Sequence, residues 1–343
     1  MRPAAIGGGQ FMDMVRGEDA WVGVSACFGG RCPAIGDGVF AWTSSDGETW
    51  SASRLPPDPS VELAARYLVA GAGRYYLTTG TYTIFPGPPA EIWASADGVA
   101  WQAFGEVPRT ECTRKLCANQ GSLAVTPSGT VLVHAVAQME EKSFGPYASE
   151  DGIEWRLVEP SAFGLDSIVV DSIESTDAAV LLMGRSCWDC EARLWTSTDG
   201  TTWDPAEDVP VQLYSRPHLA TGDGQRVIVL MACSAAKGCG GTEVWSSADG
   251  GPWTRRFSAP DILHAIVGFT GSAFVAVGQG EDPARYVVLG SADGVTWSEI
   301  PNDSTMNPAD EECSPAWLVG ANGTVLLGGE EECMTLRGTV TVP

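Results

Sequence analysis

Several charged side chains that could do acid/base chemistry lie close to the ends of predicted β-strands. Those near strand starts are Asp13, Arg66, Asp171, His218 and His264, and those at strand ends are Arg185 and Gln279. Carboxylates and imidazoles exchange protons and arginines hold anions, so this set could form an acid/base or anion-binding site. No spacing pairs a nucleophile with a base, which leaves a hydrated polar lining as the alternative.

Two acidic runs beside cysteines form a second candidate site. The runs are Asp310, Glu311 and Glu312 before Cys313, and Glu330, Glu331 and Glu332 before Cys333. If those cysteines bond, the carboxylates repel one another unless a cation compensates. Calcium prefers six to eight oxygen ligands, so a calcium site is one hypothesis and a hydrated acidic rim is the other. No phosphate loop, catalytic zinc motif or serine elbow indicates another cofactor.

The cysteines fall into neighbouring pairs, which indicates five disulfides and an oxidising compartment. The pairs are Cys27 with Cys32, Cys112 with Cys117, Cys187 with Cys190, Cys233 with Cys239, and Cys313 with Cys333. Metal ligation is the alternative, but no second closely spaced pair or nearby histidine completes a tetrahedral site around Cys187 and Cys190. Trp188, between those two cysteines, could be an exposed platform for a sugar ring or could pack beneath its own loop.

A repeat with a period of roughly 49 residues must position these groups. Each copy has an aromatic residue or Leu, then Ser, Asp-Gly and Trp at fixed spacing. The aspartates of the six copies are Asp46, Asp97, Asp151, Asp199, Asp249 and Asp293. Asp-Gly between alternating apolar runs favours a type I′ hairpin, in which both central residues have positive φ. We expect Ser and Asp to bond to the turn's backbone and Trp to pack against a neighbouring unit.

A second hairpin precedes each copy and occurs once more near the C-terminus. Each unit is therefore expected to be a four-stranded antiparallel sheet, and the whole chain a single all-β domain, a seven-bladed β-propeller. The expected blades are residues 10–54, 65–106, 120–158, 167–207, 217–258, 263–301 and 315–343. The last blade lacks the Asp-Gly turn, so we expect residues 2–6 to add its missing strand and close the ring. Six blades plus a cap is the alternative.

The repeat resembles the Asp-box, or BNR, repeat of the sialidase-like propellers, where Ser-x-Asp-x-Gly-x-Thr-Trp marks a turn between two strands. The copies around Asp46, Asp199 and Asp293 resemble it most closely, because each also has Thr before Trp. Gly follows Asp directly here, as in a compact variant of secreted bacterial propellers. The resemblance covers essentially the whole chain and implies that the boxes lie on the face opposite the active site.

Sialidase active sites combine a Phe-Arg-Ile-Pro-like segment, three arginines, a Tyr–Glu pair and an acid/base Asp. Phe11–Arg16 does not match such a segment, and no spacing pairs a Tyr with a Glu. The predicted cystines instead gather on the loop face that carries the strand starts, which favours binding there. We therefore expect a recognition or scaffold propeller that binds a glycan, peptide or protein without catalysis. The alternative is a sialidase-like glycoside hydrolase with diverged site residues.

Charge and hydropathy restrict the partners further. A formal net charge of −23 argues against nucleic acid or an anionic membrane. No apolar run approaches the roughly 20 residues of a membrane span, and residues 1–10 lack the apolar stretch of a signal peptide. We expect an extracytoplasmic protein whose leader is absent from this chain, with an extracellular glycan or protein as partner. It would act as a monomer or within a larger surface assembly.

Overall fold

The computed structural model describes residues 11–27, 36–55, 64–80, 91–106, 122–134, 145–176, 178–187, 190–206, 209, 211, 217–234, 238–248, 251–282, 285–301, 315–321, 324–329 and 336–339. Within these ranges the chain is all-β, apart from one 3-10 helix at Pro160–Phe163. The chain forms two compact units. The N-terminal unit is Ile6–Pro205, and the C-terminal unit is Ala206–Pro343 with Met1–Ala5. None of the described residues form a helix able to cross a membrane.

The N-terminal unit contains four sheets, each with four antiparallel strands that pair in chain order. Sheet 1 comprises β1 (Phe11–Arg16), β2 (Trp21–Cys27), β3 (Gly38–Ser44) and β4 (Ser51–Arg54). Sheet 2 comprises β5 (Ala64–Gly71), β6 (Arg74–Gly80), β7 (Glu91–Ser95) and β8 (Gln102–Glu106). Sheet 3 comprises β9 (Leu123–Val125), β10 (Val131–Val133), β11 (Tyr147–Ser149) and β12 (Arg156–Leu157). Sheet 4 comprises β13 (Val169–Ser175), β14 (Val180–Arg185), β15 (Arg193–Ser197) and β16 (Asp204–Pro205).

The C-terminal unit contains three sheets with the same order of pairing. Sheet 5 comprises β17 (His218–Gly222), β18 (Gln225–Ser234), β19 (Gly238–Ala248) and β20 (Thr254–Ala259). Sheet 6 comprises β21 (Leu263–Phe269), β22 (Phe274–Gln279), β23 (Tyr286–Ser291) and β24 (Ser298–Ile300). Sheet 7 comprises, among the described residues, β25 (Pro315–Ala321), β26 (Thr324–Gly329) and β27 (Leu336–Thr339).

Burial falls from the second strand of a sheet to its fourth. Every residue of β14 is buried, whereas β4 and β12 are mostly exposed. A strand buried on both faces reads as a continuous apolar run, and β14 begins with Val-Leu-Leu-Met. Buried clusters join sheets 1 and 2, 2 and 3, 3 and 4, 5 and 6, and 6 and 7. Within each unit, consecutive sheets therefore pack face to face.

The Asp-Gly turns differ from the predicted type I′ hairpin. In sheet 1 the turn is longer than two residues, and Gly47 has a φ of 70° while Asp46 has a negative φ. The Asp46 carboxylate accepts backbone hydrogen bonds from Thr49 at 2.8 Å and Glu48 at 2.7 Å. Ser44 Oγ accepts one from Gly47 at 2.8 Å. Because these bonds favour the ionised carboxylate, they lower the pKa of Asp46 to about 2.

The same arrangement recurs along the chain. Four further carboxylates each accept backbone hydrogen bonds from the residues two and three positions later: Asp97, Asp151, Asp199 and Asp293. Asp249 lies outside the described residues. Paired positive φ values occur instead in the turns between first and second strands, at Ala72–Gly73 and Asp223–Gly224. The predicted hydrogen bonds between the Ser and Asp side chains and the turn backbone are thus confirmed, but the predicted type I′ turn is wrong.

Tryptophans that follow two of these turns pack against the preceding sheet. Trp101 lies in one buried cluster with Val22 and Val24 of sheet 1, and Trp203 lies in one with Leu132 of sheet 3. A Cβ built at Gly98 would overlap the Val22 side chain. The motif is therefore a packing device between neighbouring sheets, because its glycine and its tryptophan both contact the sheet before it.

The prediction of an all-β chain of four-stranded antiparallel sheets is confirmed for six sheets. The strand expected to close the ring, residues 2–6, lies outside the described residues. Seven blades in one domain therefore stay a prediction.

Candidate functional site

Three first strands of the N-terminal unit carry a β-bulge at corresponding positions. The bulged residues are Met12 in β1, Arg66 in β5 and Asp171 in β13, each lying where the register with the second strand shifts. These first strands pack beside one another in the order β1, β5, β9, β13. A bulge redirects a side chain and commonly lies beside an active site. Two of the predicted site residues, Arg66 and Asp171, therefore hold corresponding bulge positions on their strands. Asp13 directly follows the bulged residue of β1.

Asp13 follows its bulge and ties sheet 1 to sheet 2. Its Oδ2 accepts a hydrogen bond from the backbone N–H of Leu68 in β5 at 2.7 Å, and its Oδ1 accepts one from Met14 at 2.8 Å. Burial of the carboxyl raises the pKa of Asp13 to about 7, although the two hydrogen bonds act in the opposite direction. Desolvation therefore outweighs hydrogen bonding, and Asp13 exchanges its proton near neutral pH.

Glu174, in β13, brings a second carboxylate to the same region. Its negative charge contributes to raising the pKa of Asp13, so the two carboxyl groups interact although they belong to sheets 1 and 4. Spacing along the chain did not pair these residues, because they belong to different sheets. Only the folded arrangement of the four sheets brings their charges within range of each other. Two interacting carboxyl groups, one of which holds its proton to near-neutral pH, are equipped for general acid/base chemistry.

Asp171 and Arg185 form a buried ion pair. Arg185 Nη2 lies 2.7 Å from Asp171 Oδ1, and only 7% and 16% of the two side chains are exposed. Burial raises the pKa of Asp171, and the charge of Arg185 only partly opposes this shift. Asp171 Oδ2 is buried and accepts no hydrogen bond from the described residues. The structure therefore joins two of the predicted site residues directly.

Two exposed apolar side chains belong to the same part of the first strands as Asp13. Met12 directly precedes it, and Tyr67 directly precedes Leu68, which donates to its carboxyl. Each of the two side chains is 39% exposed. Tyr67 directly follows the bulge of β5, as Asp13 directly follows the bulge of β1, so the two residues hold corresponding positions on neighbouring strands.

His134 was missed by sequence reasoning. It follows β10, its backbone N–H donates to Ser122 O at 3.0 Å, and its side chain is 4% exposed. Its Nδ1 has no hydrogen-bond partner among the described residues. Burial lowers the pKa of His134 to about 4, so the imidazole is neutral at physiological pH. The short apolar run Val131–Val133 gave no signal that the next residue is a buried histidine.

The two predicted histidines belong to the C-terminal unit. His218 begins β17, and His264 lies in a bulge of β21 with a φ of 51°. The bulge lies opposite Gly278, where a Cβ would overlap Ile262. Gln279 ends β22 and is 9% exposed. His264 is itself exposed, so a strained backbone displays an imidazole there.

The cysteine predictions are tested at one pair. Cys187 and Cys190 form a disulfide with a Cα–Cα distance of 5.0 Å, which is consistent with an oxidising compartment. Cys233 and Cys239 lie directly opposite each other across β18 and β19. The remaining pairs each include residues outside the described ranges, as does the loop with Trp188.

The carboxylates of the predicted calcium site belong to two segments near the C-terminus. All of them lie outside the described residues: Asp310, Glu311, Glu312, Glu330, Glu331 and Glu332. Among the residues that are described, no three metal-ligating side chains cluster.

No family model and no curated protein matches the chain. Among solved structures, the chain is similar to the GH74 xyloglucanase from Xanthomonas campestris, with 16% identity and a TM-score of 0.57. That alignment covers 100% of this chain and 54% of the xyloglucanase. A prolyl endopeptidase structure aligns with 96% of this chain and 47% of its own, at 10% identity and a TM-score of 0.59. The chain spans about half the length of either protein.

An α-L-arabinanase from Penicillium chrysogenum is also similar, with 12% identity and a TM-score of 0.45, over 80% of this chain and 92% of that one. The expectation of a recognition or scaffold propeller without catalysis is corrected by the comparison with the xyloglucanase, because a glycoside hydrolase has a similar fold. The glycosidase alternative fits this comparison better. At such low identity the likeness establishes the fold alone, and the chain has a propeller-type, all-β fold.

Proposed function

We propose that this protein is a glycoside hydrolase whose site lies at the first strands of the N-terminal unit. The observation that carries the proposal is the Asp13 carboxyl, whose pKa burial raises to about 7 with a smaller contribution from the charge of Glu174. Glycosidases use two carboxyl groups, one protonated and one ionised, beside the scissile bond. The xyloglucanase with a similar fold supports the same reaction class.

Each group of the site has a role in this proposal. Asp13 donates its proton to the leaving glycosidic oxygen; the second lone pair on each of its oxygens leaves room for that proton beside the backbone hydrogen bonds. Glu174 is the second carboxyl group, which serves the anomeric carbon as base or nucleophile. Asp171 and Arg185, held at 2.7 Å, offer hydrogen bonds to the hydroxyl groups of the sugar.

The charge of the protein favours a neutral glycan as substrate. A net charge of −23 repels polyanions and disfavours anionic sugars such as sialosides. We therefore propose a neutral polysaccharide, rather than a sialic acid conjugate, as the substrate class.

The architecture that completes this proposal is a single propeller of seven blades. Seven sheets with consecutive pairing support the blade count, and the repeated Asp-Gly turns support a relationship to the Asp-box propellers. The Cys187–Cys190 disulfide supports an extracytoplasmic protein.

Reducing-sugar release by the purified chain tests the activity. We expect release from a neutral polymer such as xyloglucan or arabinan and none from a sialoside. Asp13→Asn and Glu174→Gln should each lower kcat/KM by about 100-fold or more, because each removes a group that moves a proton or meets the anomeric carbon. Glu154→Gln, in an exposed turn, is the matched control and should keep full activity. A folded protein that releases sugar from no polymer contradicts the proposal.

A further inference from the structure

We propose that Tyr67 and Met12 form an apolar platform that holds a pyranose ring against Asp13 and thereby selects pyranosyl over furanosyl polymers. This inference rests on the proposed glycosidase function, which it makes more specific.

Exposure first singles these two side chains out. The described residues include five exposed large hydrophobic side chains: Met12, Tyr67, Val99, Ile153 and Leu157. Val99 and Ile153 lie in Asp-Gly turns, and Leu157 lies on a fourth strand. Only Met12 and Tyr67 of this set lie on first strands, the strands that carry the bulges and the carboxyl groups. Exposed apolar side chains on neighbouring strands beside a carboxyl group are available to a ligand that reaches that group.

Strand register then places both residues near Asp13, because Met12 precedes Asp13 and Tyr67 holds in β5 the position that Asp13 holds in β1. Met12 is the bulged residue of β1 and is followed by Asp13. Tyr67 follows the bulge of β5 and precedes Leu68, whose N–H lies 2.7 Å from Asp13 Oδ2. The strands β1 and β5 also pack against each other. A ligand that reaches Asp13 therefore meets a thioether from one strand and an aromatic ring from the next.

The chemistry of these side chains matches one face of a sugar. An equatorially substituted pyranose presents axial C–H groups on each ring face, and these are attracted to the negative face of an aromatic ring. The methionine side chain adapts its shape to such a surface through its flexible, polarisable thioether. An arabinofuranose ring lacks a flat face of axial C–H groups, so the platform favours glucosyl and xylosyl units.

The test separates binding from catalysis. Tyr67→Ala should raise KM for xyloglucan about tenfold and leave kcat within about twofold, because the ring binds ground state and transition state alike. Tyr67→Phe should behave as wild type, because the ring is kept. Met12→Ala should give a smaller rise in KM. Ile153→Ala, which removes an apolar side chain 80% exposed in an Asp-Gly turn, is the control and should change neither constant.

Calorimetric titration supplies a readout that does not need turnover. Xyloglucan oligosaccharides should bind the wild-type and Asp13→Asn proteins and bind Tyr67→Ala about tenfold more weakly, whereas arabinan oligosaccharides should bind all three weakly. Binding that depends on Tyr67 without hydrolysis of any polymer would refute the glycosidase while keeping the platform. Hydrolysis with an unchanged KM in Tyr67→Ala, or equal preference for arabinan, overturns the platform and leaves the glycosidase standing.

Discussion

Arg185 Nη2 lies 2.7 Å from Asp171 Oδ1, and yet burial of that carboxyl raises its pKa. The free-energy cost of removing the carboxylate from water therefore exceeds its favourable interaction with the neighbouring guanidinium. A buried ion pair of this kind contributes little net stability. Removing one partner is strongly destabilising, because the other charge is then buried without a counter-charge. The pair thus keeps a charge in a buried position at the end of β14, where a ligand could use it.

Loss of Arg185 alone should therefore be worse than loss of both partners. We expect Arg185→Gln to lower the free energy of unfolding by about 3 kcal/mol at pH 7, because it strands the Asp171 carboxylate. The double variant Asp171→Asn with Arg185→Gln should recover at least half of that loss. Urea denaturation of the three proteins measures both values.

A surface pair on sheet 3 is the matched control. Arg156 lies 3.6 Å from Glu150, and 64% and 75% of these side chains are exposed. Arg156→Gln should cost less than about 1 kcal/mol, because water screens the pair. Equal losses for Arg185→Gln and Arg156→Gln would show that the Asp171 pair is not desolvated.

Asp13 should set the alkaline limit of activity. Its neutral form is favoured by folding, since the pKa is about 7 in the structure against an ordinary value of 3.8. Its contribution to stability is therefore complete below pH 3.8 and is lost as the pH rises through 7. We expect kcat/KM to fall above about pH 7, in step with deprotonation of the general acid.

Unfolding measured against pH tests the same carboxyl independently of activity. The decline in wild-type stability between pH 4 and pH 7 should contain a component that Asp13→Asn lacks, because the amide does not ionise. Identical pH profiles for the two proteins would mean that Asp13 is ionised throughout this range.

Local chemistry in the sequence predicts much of the fold. The predicted hairpin around Asp46 is found, because β3 and β4 pair as antiparallel strands on either side of that turn. The turn at Asp46 was misassigned because its carboxylate bonds two backbone N–H groups and stabilises a longer loop than Asp-Gly alone implies. The paired positive φ values at Ala72–Gly73 carried no such signal, since Ala rarely adopts that conformation.

The candidate site was predicted only in part, for a related reason. Asp13, Asp171 and Arg185 are recognisable because they stand near strand ends beside apolar runs. Glu174 reads as an ordinary polar position within β13, and only the arrangement of sheets reveals that its charge acts on Asp13. The bulges are also invisible in sequence, because an extra residue in a strand leaves no compositional mark.

His134 should make the protein sensitive to acid. The imidazole is neutral in the folded state, with a pKa of about 4, whereas the unfolded chain protonates it at its ordinary value of 6.5. The unfolded state therefore binds more protons between these values, and the free energy of unfolding should fall by about 3 kcal/mol from pH 6.5 to pH 4. His134→Gln should remove that part of the decline in urea unfolding curves. A variant that keeps the full wild-type pH dependence would show that the buried imidazole is already charged.

Two glycines with nearly equal φ values separate packing from backbone strain. Gly152, in the turn of sheet 3, has a φ of 75°, and Gly73 has a φ of 70°. A Cβ at Gly152 would overlap Phe104 O of the preceding sheet, whereas a Cβ at Gly73 would meet no atom within 4 Å. We expect Gly73→Ala to cost about 1 kcal/mol from strain alone, and Gly152→Ala to cost about 2 kcal/mol more from overpacking.

Thermal or urea unfolding of the two variants gives the difference directly. Both substitutions add one methyl group at a similar φ. The difference in unfolding free energy therefore measures the cost of the contact between the turn of one sheet and the sheet before it. If Gly152→Ala costs no more than Gly73→Ala, the contact with Phe104 can yield freely, and the Asp-Gly turns do not lock neighbouring sheets together.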